Sequence, residues 1–587
     1  MATLSETLAM AVQHHQAGRL QAAEQIYRQI LAVDPEHVDA LHLLGVIAFQ
    51  MGQHEFAVEY TSRAIALNGT QSAFHSNLGN ALQAQEKLEE AVASYRRALE
   101  LKPDYVVAHY NLGTTFKAQG KLEEAIDSFR RALELNPDYA VAYYNLGNAF
   151  KDQGKPEEAV DSYRRALELK PDYAQAWSNL LLTLQYQAGA TLPELSRAHA
   201  EYERTQAAPL RTAWRPHEND RDSERRLRLG FVSPDFGQHP VGFFLIQVLE
   251  NLTRDRWETV CYSDRIIKDK LTARFQAAAT IWRDVNGRSD ADLAEEIRAD
   301  RVDILFDLAG HTARNRLLVF ARKPAPIQIT WCGYSSTTGL SAMDYILADR
   351  YVLPPEAEAH YSERVLRMPD GFLCYDPPSG APPVSALPAL ERGYVTFGCF
   401  NNPAKITRQA VAVWTKILER LPHARLVLKY KGMDSTSVID RFATLFAEHG
   451  VAPDRVECGS AGAHLLMQYQ DVDIALDPFP YTGCTTTCEA LWMGVPVITY
   501  PGETFASRHS LSHLSVIGLT EMAARDLDDY VEVAVSLASD LPRLAALRAG
   551  LRERMAASPL CEGKRFAANL MCALRDVWRK WCQEAAG

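Results

Sequence analysis

NLGTTFKAQGKLEEAIDSFRRALELNPD, residues 111–138, reads as one unit of a repeat, because nearly the same text precedes it at 77–104 (NLGNALQAQEKLEEAVASYRRALELKPD) and follows it at 145–172 (NLGNAFKDQGKPEEAVDSYRRALELKPD). Gly45, Gly79, Gly113 and Gly147 recur every 34 residues, as do Ala23, Ala57, Ala91, Ala125 and Ala159, and again Ala64, Ala98, Ala132 and Ala166. Small residues at fixed spacing let two antiparallel helices approach closely, and Pro103, Pro137 and Pro171 end the second helix and turn the chain into the next unit. Pro35 closes the first unit, and Gly69 takes the proline's place in the second. Five units fill about residues 4–174, and a partial sixth begins at 176–182.

This pattern resembles the tetratricopeptide repeat, which implies an α-solenoid with a groove for polypeptide. Asn77, Asn111, Asn145 and Asn179 share the same period. Asparagine is a poor mid-helix residue that offers both a donor and an acceptor, so the ladder suits recognition of an extended peptide backbone. The alternative is that each asparagine bonds the neighbouring repeat.

At 587 residues the chain is long enough for roughly three or four domains. Apolar content of 47% and charged content of 23% are those of a globular protein. The net charge of −11 and the absence of a long Lys/Arg run argue against a nucleic-acid partner. The opening segment carries Glu6 and no basic region, and no apolar run could span a bilayer. We therefore expect a cytoplasmic protein with no membrane partner. All ten cysteines lie from Cys261 onward inside apolar segments, as reduced thiols would, and Cys484 and Cys488 have no second pair with which to build a zinc site.

Beyond the repeats, strand-like runs alternate with helical segments: 227–233, 258–264, 303–309, 327–333 and 344–349, then, past the proline-rich DPPSGAPPVSALP (376–388), 394–400, 425–431, 473–479 and 496–501. The alternation predicts two parallel sheets with crossover helices and a ligand cleft at the carboxyl ends of the strands. The organisation is then a solenoid over 1–185, a bridging helix and linker over 186–226, one α/β lobe over 227–390 and a second over 391–587, ending in a helix.

Residues at strand ends carry the chemistry. His239 lies in the first strand-to-helix loop of the first lobe, where it could accept a proton or bond a diphosphate or sugar hydroxyl. Asp307 and His311 follow another strand, and capping of the next helix is the favoured role for them. In the second lobe FNNPAKIT supplies Asn402 and Lys405, a cation placed to meet a phosphate. The loop with Gly483, Thr485 and Thr486 suits a diphosphate, and Glu489, one turn into the following helix, suits two ribose hydroxyls. Asp471 and Asp473 have the letters of a metal site but read as a strand start, and Asp290 and Asp292 read as acids at a helix start.

Together, SPDFGQHP, GHTARNRL, RKPAPIQITWCGY, MDYILAD, FNNPAKIT, PFPYTGCTTTCEALWMGVP and PGETFASR resemble the intracellular O-linked N-acetylglucosamine transferase and SPINDLY family over nearly the whole chain. The resemblance implies a GT-B fold, inverting transfer to Ser or Thr of proteins, and no cofactor or required metal. It makes His239 the active-site histidine often discussed as a base, and Lys405 the lysine at the donor's diphosphate. Asn402 stands where the animal enzymes have glutamine, Thr485 and Thr486 match the diphosphate threonines, Glu489 the acid at the ribose, and Gly333 and Gly483 fall in nucleotide-sugar motifs. Cys484 replaces a histidine, Asp303 stands where a second histidine is found, and His464 lies one residue further from Tyr469 than is typical. The expected donor is UDP-GlcNAc, favoured by PGETFASR. GDP-fucose is the alternative suggested by FNNPAKIT and TTTCEAL, and a non-catalytic repeat adaptor is a further one.

Overall fold

The computed structural model describes residues 3–460, 462 and 465–584. They divide into two compact units, one of residues up to 153 with 161–170, the other of residues 154–160 and 171 onward.

The first unit is built of helix pairs, among them Ser72–Ala84 with Leu88–Leu101 and Val106–Ala118 with Leu122–Leu135. The periodic glycines explain how tightly each pair packs. A Cβ built on Gly79 would stand 2.6 Å from the ring of Tyr95, and one on Gly113 would stand 2.7 Å from Phe129. The repeat therefore alternates a glycine on one helix with a fully buried aromatic on the next, Tyr95 and Phe129 both being 0% exposed. The asparagine ladder ties repeat to repeat: Asn77 Nδ2 meets His42 Nε2 at 2.8 Å, Asn111 Nδ2 donates to Asn80 Oδ1 at 2.8 Å and Asn145 Nδ2 to Tyr110 Oη at 2.9 Å. Among the described residues no partner takes the Oδ1 of Asn77, Asn111 or Asn145. Asn179 lies in the second unit, where its carbonyl accepts from Thr183 Oγ1.

The second unit opens with helices Ala174–Leu184 and Leu192–Tyr202 and continues into two parallel sheets. The first has seven strands: β1 (Leu227–Ser233), β2 (Trp257–Ser263), β3 (Ile281–Asp284), β4 (Ile304–Asp307), β5 (Ile327–Thr330), β6 (Tyr345–Ala348) and β7 (Arg364–Arg367), in the order β3-β2-β1-β4-β5-β6-β7. The second has five: β8 (Thr396–Cys399), β9 (Arg425–Lys429), β10 (Val456–Gly459), β11 (Ile474–Leu476) and β12 (Val497–Ile498), in the order β10-β9-β8-β11-β12. Each sheet reverses its winding once, between β1 and β4 and between β8 and β11, and such a switch opens a crevice at the strand ends.

The apolar runs of the sequence became central strands buried on both faces, as β4 and β5 are throughout. The sequence does not announce β3, β7 and β10. They are edge strands with partly exposed residues, so their text is polar. Asp473 starts β11 and accepts the backbone N–H groups of Ala389 (3.0 Å) and Thr396 (2.8 Å), and Asp303 starts β4, where it is clamped by Arg225 at 2.6 Å. The last helix, Gly563–Glu584, packs on helix Pro240–Glu250 of the first sheet. There Phe566 stacks on Trp331 with centroids 5.6 Å apart, and Arg575 donates to the Ser223 carbonyl at 2.6 Å. The ten cysteines are free thiols, and no helix among the described residues is long and apolar enough to cross a membrane.

Candidate active site

A cavity of about 310 Å³ lies at the carboxyl ends of both sheets, lined from the first by His239, Cys332, Gly333, Tyr334 and Ser335 and from the second by Asn401, Asn402, Lys405, Tyr481, Cys484, Thr485, Thr486 and His509.

On the second sheet's side the chain leaves β8 through Asn401 and Asn402 into a single turn, Pro403–Lys405. Asn402 Oδ1 caps that turn by accepting the Ala404 N–H at 3.0 Å, which leaves its amide free to face the cavity. Lys405 Nζ donates to the Thr482 carbonyl at 2.9 Å and sits 4.2 Å from the centroid of the Tyr481 ring. Burial lowers its pKa to about 8, with the nearby Asp477 pulling the other way. Asp477, at the end of β11, is 2% exposed and accepts from the Gly483 N–H and Thr499 Oγ1, both at 2.6 Å, while burial raises its carboxyl to about 6.

Asp477 thereby fixes the turn that launches helix Thr485–Trp492. Gly483 spends its N–H on that turn and does not line the cavity, and a Cβ there would stand 2.6 Å from Thr486 Oγ1. The N–H groups of Thr485, Thr486 and Thr487 have no acceptor among the described residues. Two of those residues line the cavity, so a helix N-terminus with unspent donors and hydroxyls points at it beside the Lys405 ammonium. Thr486 Oγ1 is oriented by Asn401 Oδ1 at 3.0 Å. Glu489 lies one turn deeper, outside the lining, with no hydrogen-bond partner among the described residues, and burial raises its carboxyl to about 8.

On the first sheet's side His239 caps helix Pro240–Glu250. Its Nδ1 accepts the Val241 N–H at 3.3 Å, which puts the ring proton on Nε2 and makes that nitrogen a donor. Partial burial and the charge of Arg265 lower its pKa, while its side chain stays 42% exposed with Nδ1 3.6 Å from Asp235 Oδ1. Gly333 lines the cavity and is obligatory there, since its Cβ would fall 1.9 Å from the Leu308 carbonyl oxygen. Ser335 Oγ and Tyr481 Oη, 2.9 Å apart, join the two walls.

Two further residues considered for the site, Asp307 and His311, lie elsewhere. Asp307 is 1% exposed and accepts from the Ala309 and Gly310 N–H groups and Thr330 Oγ1, so it shapes a strand end. His311 is 0% exposed, with Nδ1 3.3 Å from Ser178 Oγ and Nε2 2.8 Å from the Thr338 carbonyl, and anchors helix Ala174–Leu184. His464 lies outside the described residues. Cys484 does line the cavity, its Sγ 3.6 Å from His513 Nε2, and burial keeps it a neutral thiol by raising its pKa to about 12. Residue-by-residue reading of the sequence missed Asn401, Tyr186, Tyr430, Tyr481 and His509, all part of the lining. Tyr481 and His509 stand in or beside motifs recognised as wholes, PFPYTGC and PGETFASR, which were the available signal.

The profile of glycosyl transferase family 41 matches residues 196–379 and 386–570, and tetratricopeptide-repeat profiles match 14–80, 79–154 and 140–173. A probable UDP-N-acetylglucosamine-peptide N-acetylglucosaminyltransferase SPINDLY of Petunia hybrida is 44% identical over 62% of this chain and 40% of its own length. The corresponding SPINDLY protein of Arabidopsis thaliana is 40% identical over 69% and 45%. Across such curated relatives the chain spans 38% to 45% of their length. A solved O-GlcNAc transferase mutant from Thermobaculum terrenum superposes with a TM-score of 0.79 at 37% identity, covering 88% of this chain and 98% of that one. The chain belongs to glycosyl transferase family 41, its family-41 region preceded by tetratricopeptide repeats.

Proposed function

We propose that the protein transfers N-acetylglucosamine from UDP-N-acetylglucosamine to Ser or Thr hydroxyls of polypeptides, with inversion at the anomeric carbon. The observation that carries the reading is the cluster of donors on one wall of the cavity: the Lys405 ammonium, the Thr485 hydroxyl and the free N–H groups at the start of the Thr485–Trp492 helix, beside Thr486, whose hydroxyl proton goes to Asn401 Oδ1. A nucleotide diphosphate answers all of them at once. The names of the relatives, UDP-N-acetylglucosamine-peptide transferases, support this donor. GDP-fucose is the second reading, favoured by the likeness of FNNPAKIT and TTTCEAL to SPINDLY.

In the reaction an acceptor hydroxyl attacks the anomeric carbon as the bond to the diphosphate oxygen breaks, and the hydroxyl proton passes to the departing diphosphate. Negative charge grows on the departing diphosphate, where preorganised donors contribute most because they need no reorganisation. On this reading Lys405 and the helix N-terminus supply the positive charge, and the transfer needs no metal. His239, neutral and with its proton on Nε2, serves as a hydrogen-bond donor to a donor or acceptor oxygen. Glu489, one helical turn behind the cavity lining, is the acid this reading assigns to the ribose hydroxyls. The unspent Oδ1 atoms of Asn77, Asn111 and Asn145 are acceptors for the N–H groups of a polypeptide lying along the repeats.

The test is a thermal-shift panel of UDP-GlcNAc, UDP, GDP-fucose and GDP, followed by intact-mass analysis of a peptide incubated with the stabilising donor. A ligand at 100 times its Kd stabilises by about 2.7 kcal/mol, enough for a clear shift. Stabilisation by the GDP ligands alone replaces the UDP-GlcNAc reading with the fucose one. No shift with any ligand and no mass gain would overturn both.

A further inference from the structure

Among the described residues, four histidines of the second unit are buried, and three of them are committed. His199 meets the Leu195 carbonyl with Nδ1 at 2.6 Å and Tyr334 Oη with Nε2 at 2.9 Å. His311 has partners on both nitrogens, and His513 Nε2 faces Cys484. His509 differs. It is 3% exposed and lines the cavity, and its Nδ1 has no hydrogen-bond partner among the described residues. Nδ1 is sealed from solvent and Nε2 also makes no hydrogen bond among the described residues; each buried bond left unmade costs about 1–3 kcal/mol, so a ring at the cavity wall with neither nitrogen committed to protein calls for a ligand, which would reach it at Nε2.

The ring is held from three sides by aromatic neighbours. Phe505 lies edge-on at 5.7 Å, Tyr481 is tilted at 5.8 Å, and Phe372, from the first lobe, is stacked at 6.0 Å between centroids. Tyr481 is also the ring over which Lys405 sits, at 4.2 Å, so His509 adjoins the place where the diphosphate is read to bind. Burial and the charge of Lys405 keep the imidazole uncharged. A neutral imidazole brings no charge to a phosphate that Lys405 already meets, and at most one N–H. It does suit an uncharged polar group, and with no protein partner fixing its tautomer it can either donate or accept. In a nucleotide sugar, the uncharged hydroxyl-rich group next to the diphosphate is the sugar itself.

Resting on the nucleotide-sugar reading above, we propose that His509 contacts the transferred sugar, hydrogen-bonding one of its hydroxyl or amide groups and setting which sugar the cavity accepts.

The experiment compares UDP with UDP-GlcNAc, or GDP with GDP-fucose should that pair be the one bound, by calorimetry on the full chain. His509→Phe keeps a ring among the three aromatic neighbours and removes both nitrogens, and His509→Asn keeps a donor and an acceptor. The expected result is that His509→Phe binds the free diphosphate within about 3-fold of wild type but the nucleotide sugar about 10-fold or more weakly, with His509→Asn recovering part of the loss. Equal loss of both ligands in both variants overturns the proposal, because collapse of the cavity or a phosphate contact would do that. Unchanged sugar binding in His509→Phe overturns it as well. Should His509→Phe fail to fold, His509→Asn decides alone: a sugar-to-diphosphate affinity ratio altered by at least about 3-fold supports the contact, and an unaltered ratio overturns it. Wild-type protein that binds no nucleotide or nucleotide sugar fails at an earlier point and overturns the functional reading together with this one.

Discussion

Replacing Lys405 by methionine removes the ammonium from the cavity while keeping an unbranched side chain of similar length against Tyr481. The magnitude follows from where Nζ sits. A phosphate oxygen at hydrogen-bond distance, about 3 Å, interacts with a unit charge by roughly 5 kcal/mol at an effective dielectric of about 20. Ground-state binding already uses part of this. If about half is realised only as charge develops on the departing oxygen, kcat falls by about 100-fold, within the range found for single oxyanion donors. Initial rates with labelled donor and a peptide acceptor measure it, with a thermal melt to show that the variant is folded.

The pH profile supplies an independent reading of the same group. In the free protein Lys405 titrates at about 8, below the ordinary lysine value, because it is buried. Donor binding needs the charged form, so kcat/KM for the donor is full below pH 8 and falls about tenfold per unit above it. A bound diphosphate favours the ammonium and raises its pKa, so kcat stays level to higher pH than kcat/KM does. Lys405→Met should lack the alkaline limb. A kcat within about 5-fold of wild type, or a wild-type kcat/KM that is level from pH 7 to 9.5, refutes the argument.

Three further outcomes are expected. Glu489 has its folded-state pKa raised from 4.5 to about 8, so the native protein holds this proton more tightly than the unfolded chain and loses stability as pH rises from 4.5 to 8. Glu489→Gln is free of that loss, and its melting temperature should pull ahead of wild type between pH 5 and pH 8 in the absence of ligand; a gap that does not change with pH contradicts the assignment. Arg441 donates to the carbonyls of Ile406 (2.9 Å) and Pro403 (3.4 Å), which flank the lysine's turn, so Arg441→Leu should lower kcat by about 10-fold through a displaced Nζ; the check is steady-state kinetics beside a melt, and an unaltered kcat speaks against the coupling. Gly113→Ala would put a Cβ 2.7 Å from Phe129 and should destabilise the repeats by about 1–3 kcal/mol, read by chemical denaturation, with a neutral result meaning that the ring has room to move.

What the sequence disclosed and what it withheld divide along a physical line. The repeat was legible because each unit buries the same face against the next, so the glycine and aromatic positions recur with the period. The central strands were legible because a sheet covered on both faces demands unbroken apolar text, and β3, β7 and β10 were hidden because an edge strand does not. Lys405, Thr485 and Thr486 announced themselves as a cation and hydroxyls at strand ends. The roles of the histidines could not be read in this way. His239, His311 and His509 look alike in one dimension, and they separate only when partners are assigned to each nitrogen: Val241 fixes the first as a donor, Ser178 and Thr338 occupy the second, and nothing occupies Nδ1 of the third. Those partners come from segments far apart in the chain, as does the Ser335 to Tyr481 contact that joins the two walls. A histidine's chemistry is set by which of its nitrogens is already bonded, and that is a property of the folded chain. The imidazole whose hydrogen bonds are complete belongs to the scaffold, and the one left unfinished at a cavity wall belongs to the ligand.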